Sequence, residues 1–355
     1  MTFPSGTTVA RLHLTTVETS HRHTSINTGN QQYPDMDKDD SANSVPNIVG
    51  AISATLSFIK ETPGVKPYRI VGPLPPEREH ERSNVKPVDV DGVIIQDARP
   101  QKASFNLEDH GFEFLNFEPN VQLAGNDETA AQSFLDETAA LLQRRFQTPH
   151  VFSYDIRASS LYPRARGITW AKSPYQIRCT EDNYGEATEG KRMIVIPPAP
   201  IIHTDLTRNG AMARVNRHLH QQERDTLLQD GCRIIIVNTW MPLDNPAIDC
   251  PLVIGDRRSI QQRDMIAADQ IVPGFLGEFA FLRYNKDDVW YWLDNQLPGE
   301  VTLFCSFDSD KPGDTGACPH GTFNNPLAPP GSPHRKSVET RSIIVFPRST
   351  SSRTV

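Results

Sequence analysis

Short segments rich in Val, Ile and Phe, separated by long connections, dominate the chain from residue 151 onward. The clearest are Val151–Ile156, Arg192–Ile196, Arg233–Trp240, Glu278–Tyr284, Val301–Asp308 and Val338–Phe346. Each is bounded by turn-forming or charged residues, a pattern that favours β-strands. Many strands with few helices are typical of a jelly roll rather than of an alternating β/α sheet. We therefore predict a mainly β protein with flanking helices and a jelly-roll core.

Two stretches carry the pattern of helices that flank this core. In Glu128 to Gln147, the residues Ala131, Phe134, Leu135, Thr138 and Leu142 recur at helical spacing and form one apolar face. We interpret this helix as scaffold packed against a sheet. A second helix, Ala211 to Gln229, is expected to lie outside the sheet.

The ends of the chain differ from its middle in composition. Residues 16–48 are mostly polar and lack hydrophobic periodicity, so residues 1–48 are predicted to form a flexible N-terminal arm. A single domain is predicted over residues 49–348, with its jelly-roll core at about residues 150–347. Residues 349–355 are predicted to be a disordered tail.

Charge and cysteine content narrow the class of protein. The 355 residues carry a net charge of −7, which gives no electrostatic reason to expect nucleic acid or an acidic membrane as partner. No apolar run reaches membrane-spanning length, and the first residues lack a basic stretch followed by an apolar one, so we expect no secretory signal. Five widely spaced cysteines without a CxxC pair favour reduced thiols in a cytoplasmic protein. Two-fold dimers are the commonest soluble homo-oligomers, so a homodimer is a candidate assembly.

A histidine and a carboxylate two residues apart follow the apolar segment at 193–196. His203 and Asp205 would share one face of a strand, because residues i and i+2 point the same way. His320, far along the chain, can complete a set of two histidines and one carboxylate, since distant strands of a jelly roll lie side by side. That set suits Fe(II) and leaves open positions for a co-substrate and O₂. Taken singly, His320 could be an ordinary loop residue, and Cys318 reads as a small packed residue rather than a ligand.

Downstream of His320, two arginines are candidates for binding 2-oxoglutarate, the usual co-substrate of such iron enzymes. Arginine binds carboxylate bidentately. Arg335 and Ser337 would present a guanidinium and a hydroxyl on one face of an extended segment. Arg341 sits among Val, Ile and Phe of the last strand, and its more constrained position favours it. The alternative for both arginines is a surface salt bridge at a strand end.

Other polar and aromatic residues near these motifs are ambiguous. Asn238 and Trp240 share one face of their strand and are candidates to line a substrate pocket, with core packing or a strand-end hydrogen bond as the alternative. His218 and His220 lie on different faces of the second predicted helix, so we expect both to be solvated.

The motifs, taken in order, resemble the hydroxylase/desaturase AsaB-like family of fungal secondary metabolism, which includes gibberellin-desaturase-like and CmcJ-like proteins. The resemblance covers roughly residues 90–347 and rests on runs such as Pro198-Ala-Pro-Ile-Ile-His-Thr-Asp-Leu-Thr207, Ile236-Val-Asn-Thr-Trp-Met-Pro-Leu243, Cys250-Pro-Leu-Val-Ile-Gly-Asp256, Phe304-Cys-Ser-Phe-Asp-Ser309 and Arg335-Lys-Ser-Val-Glu-Thr-Arg341. It implies a double-stranded β-helix oxygenase that uses Fe(II), 2-oxoglutarate and O₂, with His203, Asp205 and His320 as the iron ligands. The family commonly has arginine where this chain has Met241. It also commonly has a lysine near Cys305, which this chain lacks. Met241 is therefore a further candidate for substrate binding.

We accordingly expect a non-haem Fe(II)/2-oxoglutarate-dependent oxygenase acting on a small specialised metabolite or an amino-acid-derived substrate. Hydroxylation, desaturation and oxidative ring closure all stay open, because the outcome depends on where the substrate carbon lies. The alternatives are a jelly-roll binding protein with a vestigial metal site and a metal-dependent hydrolase that uses no 2-oxoglutarate.

Overall fold

Two curled β-sheets form the framework of the protein. A computed structural model describes residues 50–71, 74–123, 128–160, 195–196, 198–272 and 274–347. Every described residue belongs to a compact unit that spans Asn47–Val355. The predicted arm at residues 1–48 and the predicted tail at residues 349–355 lie outside the described residues.

The larger sheet has nine strands in the order β1-β3-β12-β9-β14-β7-β11-β10-β2. Its strands are β1 (Ala51–Ile59), β2 (Tyr68–Ile70), β3 (Pro87–Asp97), β7 (His203–Thr204), β9 (Leu252–Gly255), β10 (Met265–Val272), β11 (Phe275–Leu282), β12 (Trp290–Trp292) and β14 (His320–Thr322). Most neighbours are antiparallel, while β2 on β10 and β12 on β3 are parallel.

The smaller sheet has six strands in the order β4-β13-β8-β15-β5-β6. These are β4 (Phe112–Asn116), β5 (Val151–Ser160), β6 (Val195–Ile196), β8 (Arg233–Pro242), β13 (Glu300–Asp308) and β15 (Lys336–Phe346). Together the two sheets confirm the predicted jelly-roll class. The predicted strand at residues 192–196 is described only at Val195–Ile196.

Side chains from both sheets meet in a shared core. One buried cluster joins Trp240 and Phe304 of the smaller sheet to Leu252, Ile254 and Tyr291 of the larger one. Burying a side chain of this size stabilises the fold by about 1.5–3 kcal/mol. This core lies beside the predicted metal ligands, since the ring centroids of Phe304 and His320 are 4.5 Å apart.

Helix α1 (Glu128–Phe146) covers the outer face of the smaller sheet. Its residues Ala131 and Phe134 pack against Ile156 of β5 and Val338 of β15, and Leu142 is fully buried. The apolar face read from the sequence is therefore the face that the helix buries. None of the helices within the described ranges is long and apolar enough to cross a membrane.

The second predicted helix is two helices, which corrects its expected extent. Helix α2 (Arg208–His218) begins after Thr207, whose hydroxyl accepts a hydrogen bond from the Gly210 amide at 3.1 Å. Helix α3 (Gln221–Leu227) begins where Glu223 accepts a hydrogen bond from the His220 amide at 2.6 Å. This new N-terminal cap, which satisfies an amide at the start of α3, explains why the helical pattern breaks there.

Candidate metal centre

Pairing between two short strands brings the first and last predicted ligands together. His203 opens β7 and His320 opens β14, and the antiparallel register of these strands places the two residues directly opposite each other. Asp205 follows β7 at once. Residues that are 117 positions apart in the chain are therefore neighbours, as expected for a jelly roll in which distant strands pair.

Both imidazoles are oriented by backbone carbonyls. Nδ1 of His203 lies 2.8 Å from the carbonyl oxygen of Ile201, and Nδ1 of His320 lies 3.0 Å from that of Cys318. A carbonyl accepts only, so each Nδ1 carries the proton and each Nε2 keeps a free lone pair. This arrangement is typical of histidines that bind a metal through Nε2.

The free nitrogens and the carboxylate converge. Nε2 of His203 lies 3.9 Å from Oδ1 of Asp205, and Nε2 of His320 lies 3.7 Å from Oδ2. One ligand atom from each of the three residues lies within 4.8 Å of the others. In the part of the chain that the structure describes, no fourth histidine, cysteine or carboxylate joins this set. Three protein ligands fit a metal that keeps open positions, whereas a structural zinc site normally closes with a fourth.

Burial and neighbouring charges put all three side chains in the protonation states that a metal requires. Burial lowers the pKa of His203 to about 4, with the nearby His320 adding to the effect, and burial also lowers the pKa of His320. Burial alone would raise the pKa of Asp205, but the charge of Arg341, together with His320, His203 and Arg157, outweighs burial and holds that pKa well below its usual range. At neutral pH the site therefore offers two neutral imidazoles and one carboxylate.

Two donors from the smaller sheet hold the carboxylate of Asp205. Nη2 of Arg341 donates to Oδ1 at 2.6 Å, and Nδ2 of Asn238 donates to Oδ2 at 2.5 Å. Arg341 also donates to Asp155 at 2.9 Å and to Glu339 at 2.7 Å. Sequence reasoning missed Asp155 and Glu339. The signal available was an acidic residue in the interior of each of two strands.

Arg335 and Ser337 occupy a different part of the interior. Arg335 is 2% exposed, and its guanidinium lies 5.4 Å from the ring centroid of Trp240. Its Nη1 donates to the carbonyl of Cys250 at 2.7 Å, and burial lowers its pKa. Within the described residues, the buried hydroxyl of Ser337 has no hydrogen-bond partner. Both arginines are buried, so neither forms a salt bridge on the surface.

Alternation along β8 separates the three residues predicted to contact substrate. Asn238 points toward Asp205, and Trp240 packs in the core between the two sheets. Met241 points the opposite way, into the cluster beneath α1 with Phe134 and Val338. The prediction for Met241 is therefore corrected by its position, because consecutive residues of a strand face opposite sides of the sheet.

The two histidines of the second predicted helix are not alike. The ring of His218 stacks on Tyr154 with a centroid distance of 4.3 Å, and burial lowers its pKa to about 3. The prediction that His218 is solvated is therefore wrong, because the C-terminal end of α2 places this side chain against Tyr154 of β5. His220 is exposed, as expected.

The fold and this group of residues define a double-stranded β-helix protein with a two-histidine, one-carboxylate cluster inside its barrel. A family model described as "Oxidoreductase/YMDC permease-like domain" matches residues 56–346. The chain belongs to this family.

Several curated relatives are similar over most of the chain. The Fe(II)/2-oxoglutarate-dependent dioxygenase nvfI of Aspergillus novofumigatus is 29% identical over 271 residues, which covers 71% of this chain and 82% of that protein. The hydroxylase/desaturase poxK of Penicillium oxalicum is 24% identical and covers 72% of this chain and 78% of its own length. The alpha-ketoglutarate-dependent dioxygenase tstK of Talaromyces stipitatus is 25% identical, and the match covers 72% of this chain and 84% of that protein.

A solved structure shares the fold. The iron and alpha-ketoglutarate-dependent endoperoxidase NvfI superposes with a TM-score of 0.65 at 22% identity, and the match covers 84% of this chain and 99% of that one. At this level of identity the likeness establishes a common fold, in agreement with the jelly-roll topology described above.

Proposed function

We propose that this protein is a non-haem Fe(II)/2-oxoglutarate-dependent oxygenase. The observation that carries the proposal is the convergence of His203, Asp205 and His320, with both imidazoles turned so that Nε2 faces the carboxylate. Two histidines and one carboxylate with open positions are the ligand set of non-haem Fe(II) oxygenases. The names of the curated relatives support the same chemistry.

In this proposal His203, Asp205 and His320 hold the iron. When bound, Fe(II) with 2-oxoglutarate and O₂ supplies the oxidant that removes a hydrogen atom from the substrate. The protein contributes orientation and exclusion of water. Backbone carbonyls fix both imidazole rings, and the apolar ring of Phe304 packs beside His320.

Arg335 and Ser337 bind the distal carboxylate of 2-oxoglutarate in this proposal, in preference to Arg341. Three carboxylates already surround Arg341, and they hold its pKa well above its usual range against the opposing effect of burial. For Arg335 the balance is opposite, because burial lowers the pKa despite the weaker attraction of nearby acidic groups. An incoming carboxylate would offset that cost of burial. The buried hydroxyl of Ser337 supplies a second donor.

The substrate is proposed to be a small specialised metabolite or an amino-acid-derived compound. Hydroxylation, desaturation and oxidative ring closure are all compatible with this site. Relatives named as hydroxylase/desaturase and as an endoperoxidase support that range. Cytoplasmic location, absence of a nucleic-acid partner and a possible homodimer stay predictions from the sequence.

Anaerobic titration of the metal-free protein tests the proposal. Fe(II) followed by 2-oxoglutarate should produce a weak visible charge-transfer band, and admission of air should release succinate even without substrate, slowly. His203→Ala and Asp205→Ala should abolish the band. A protein that binds Zn²⁺ but forms no band with Fe(II) and 2-oxoglutarate would instead be a hydrolase, and one that binds neither metal would be a binding protein.

A further inference from the structure

The side-chain amide of Asn238 is fully engaged inside the protein. Nδ2 donates to Oδ2 of Asp205 at 2.5 Å and to Oε1 of Glu339 at 3.0 Å. Oδ1 accepts a hydrogen bond from the hydroxyl of Ser306 at 2.8 Å. Both Asn238 and Ser306 are buried, with 0% and 1% of their surface exposed. An amide with one acceptor used and both N–H groups donated has no donor left for a substrate.

We propose that Asn238, supported by Ser306, is a positioning residue for Asp205 rather than a substrate-binding residue. The inference rests on the proposed function, in which Asp205 is a metal ligand. The two carboxylates determine which way the amide faces, and the Ser306 hydroxyl satisfies Oδ1 in that orientation by donating to it. A carboxylate oxygen accepts only, so the reversed amide would place oxygen against oxygen.

Arg341 explains why Asp205 needs a second donor. The guanidinium fork of arginine can hold both oxygens of a carboxylate in two parallel hydrogen bonds. In that arrangement both Asp205 oxygens would turn toward Arg341 and away from the imidazoles. Asn238 prevents this by holding Oδ2, while Nη1 of Arg341 is occupied by Asp155. Each oxygen of Asp205 then has one protein donor and keeps a lone pair for a metal.

The chain offers two test variants and a matched control on the same strand. Asn238→Leu removes the donor at nearly constant volume, and Ser306→Ala removes only the hydroxyl that satisfies the amide oxygen. Thr239, the next residue of β8, exchanges a buried hydrogen bond of 2.6 Å with Thr340 on the opposite face. Thr239→Val therefore perturbs the same strand without touching Asp205.

Binding of Co(II) to the metal-free proteins, followed by its visible d–d bands, measures both affinity and coordination geometry. We expect Asn238→Leu to bind Co(II) about 10- to 100-fold more weakly, as is typical when a partner of a metal ligand is lost. Ser306→Ala should weaken binding several-fold and alter the bands. Thr239→Val should keep the affinity and spectrum of the original protein even if its melting temperature falls.

The outcomes separate this inference from the proposed function. If Asn238→Leu folds and binds Co(II) with unchanged affinity and spectrum, the positioning role is overturned. If Asn238→Leu does not fold, the Ser306→Ala protein provides the test, and unchanged Co(II) affinity and spectrum in that variant would overturn the positioning role. Failure of the original protein to bind Co(II) would instead overturn the metal site itself, and with it the role of Asp205.

Discussion

Arg341 donates a hydrogen bond of 2.6 Å from Nη2 to Oδ1 of Asp205, inside a group of three carboxylates that also includes Asp155 and Glu339. Arg341 is 9% exposed, so little solvent screens these interactions. One positive charge thus neutralises part of an acidic interior that would otherwise repel itself. In the proposed function Arg341 is therefore a structural residue beside the metal ligands, and Arg335 is the cation that binds the co-substrate.

Replacement of this central cation should destabilise the fold strongly. Arg341→Gln leaves three buried acidic groups with one fewer positive charge, and breaking such a pair typically costs about 3–5 kcal/mol. Lys336→Gln is the control, because Lys336 pairs with Asp244 at 2.7 Å and both side chains are 54% exposed, and exposed pairs contribute about 0–1 kcal/mol. Denaturant unfolding of the metal-free proteins measures both losses. Similar small losses in the two variants would contradict the structural role of Arg341.

Arg335 and Ser337 should govern the affinity for 2-oxoglutarate. Arg335→Gln removes a charge-assisted interaction of about 1.5–3 kcal/mol, which corresponds to about 10- to 100-fold weaker binding. Ser337→Ala removes a neutral donor and should weaken binding about 5-fold. The charge-transfer band, titrated with 2-oxoglutarate under saturating Fe(II), reports the dissociation constant. An Arg335→Gln protein that stays folded and binds 2-oxoglutarate normally would show that the anchor lies elsewhere.

The two faces of β8 should respond differently to truncation. Met241→Ala opens a cavity beneath α1 and should cost about 2–5 kcal/mol of unfolding free energy, with no change in 2-oxoglutarate affinity. Trp240→Leu removes the ring that lies under the Arg335 guanidinium and should weaken 2-oxoglutarate binding several-fold. Titration of the charge-transfer band and urea unfolding distinguish the two effects. A loss of 2-oxoglutarate affinity in Met241→Ala would contradict this placement and show that Met241 affects the pocket.

Most of the correct predictions about helices, strands and ligand spacing came from local patterns in the sequence. The apolar face of α1, the strands of the smaller sheet and the spacing of His203 and Asp205 all follow from periodicities of 3.6 and 2. The same period of 2 separates Met241 from Trp240, so the position of Met241 was available from the pattern. The resemblance to relatives drew attention to that residue for its identity, whereas its strand position decides what it contacts.

Pairing between distant strands could not be predicted from the sequence. The parallel pairing of β12 with β3 joins Trp290 to Ile95 across nearly 200 residues, and no local pattern encodes such a partner. The choice between Arg335 and Arg341 is of the same kind. Both arginines occupy one strand region at even spacing, and the acidic residues contributed by distant parts of the chain, such as Asp155 and Asp205, distinguish them.

His218 should make the stability of the metal-free protein depend on pH. Its folded-state pKa is about 3 because burial against Tyr154 disfavours the charged ring, while the pKa in an unfolded chain is about 6.5. As pH falls below about 6.5, the unfolded state binds a proton that the folded state does not, so stability is lost between about pH 6.5 and pH 3.

At pH 5 this linkage amounts to about 2 kcal/mol relative to pH 8. His218→Phe keeps an aromatic ring against Tyr154 but cannot be protonated. The difference in unfolding free energy between pH 8 and pH 5 should therefore be about 2 kcal/mol smaller in His218→Phe than in the original protein. Urea unfolding at the two pH values measures this difference. Parallel pH profiles would mean that the ring of His218 takes up its proton in the folded state as readily as in the unfolded one.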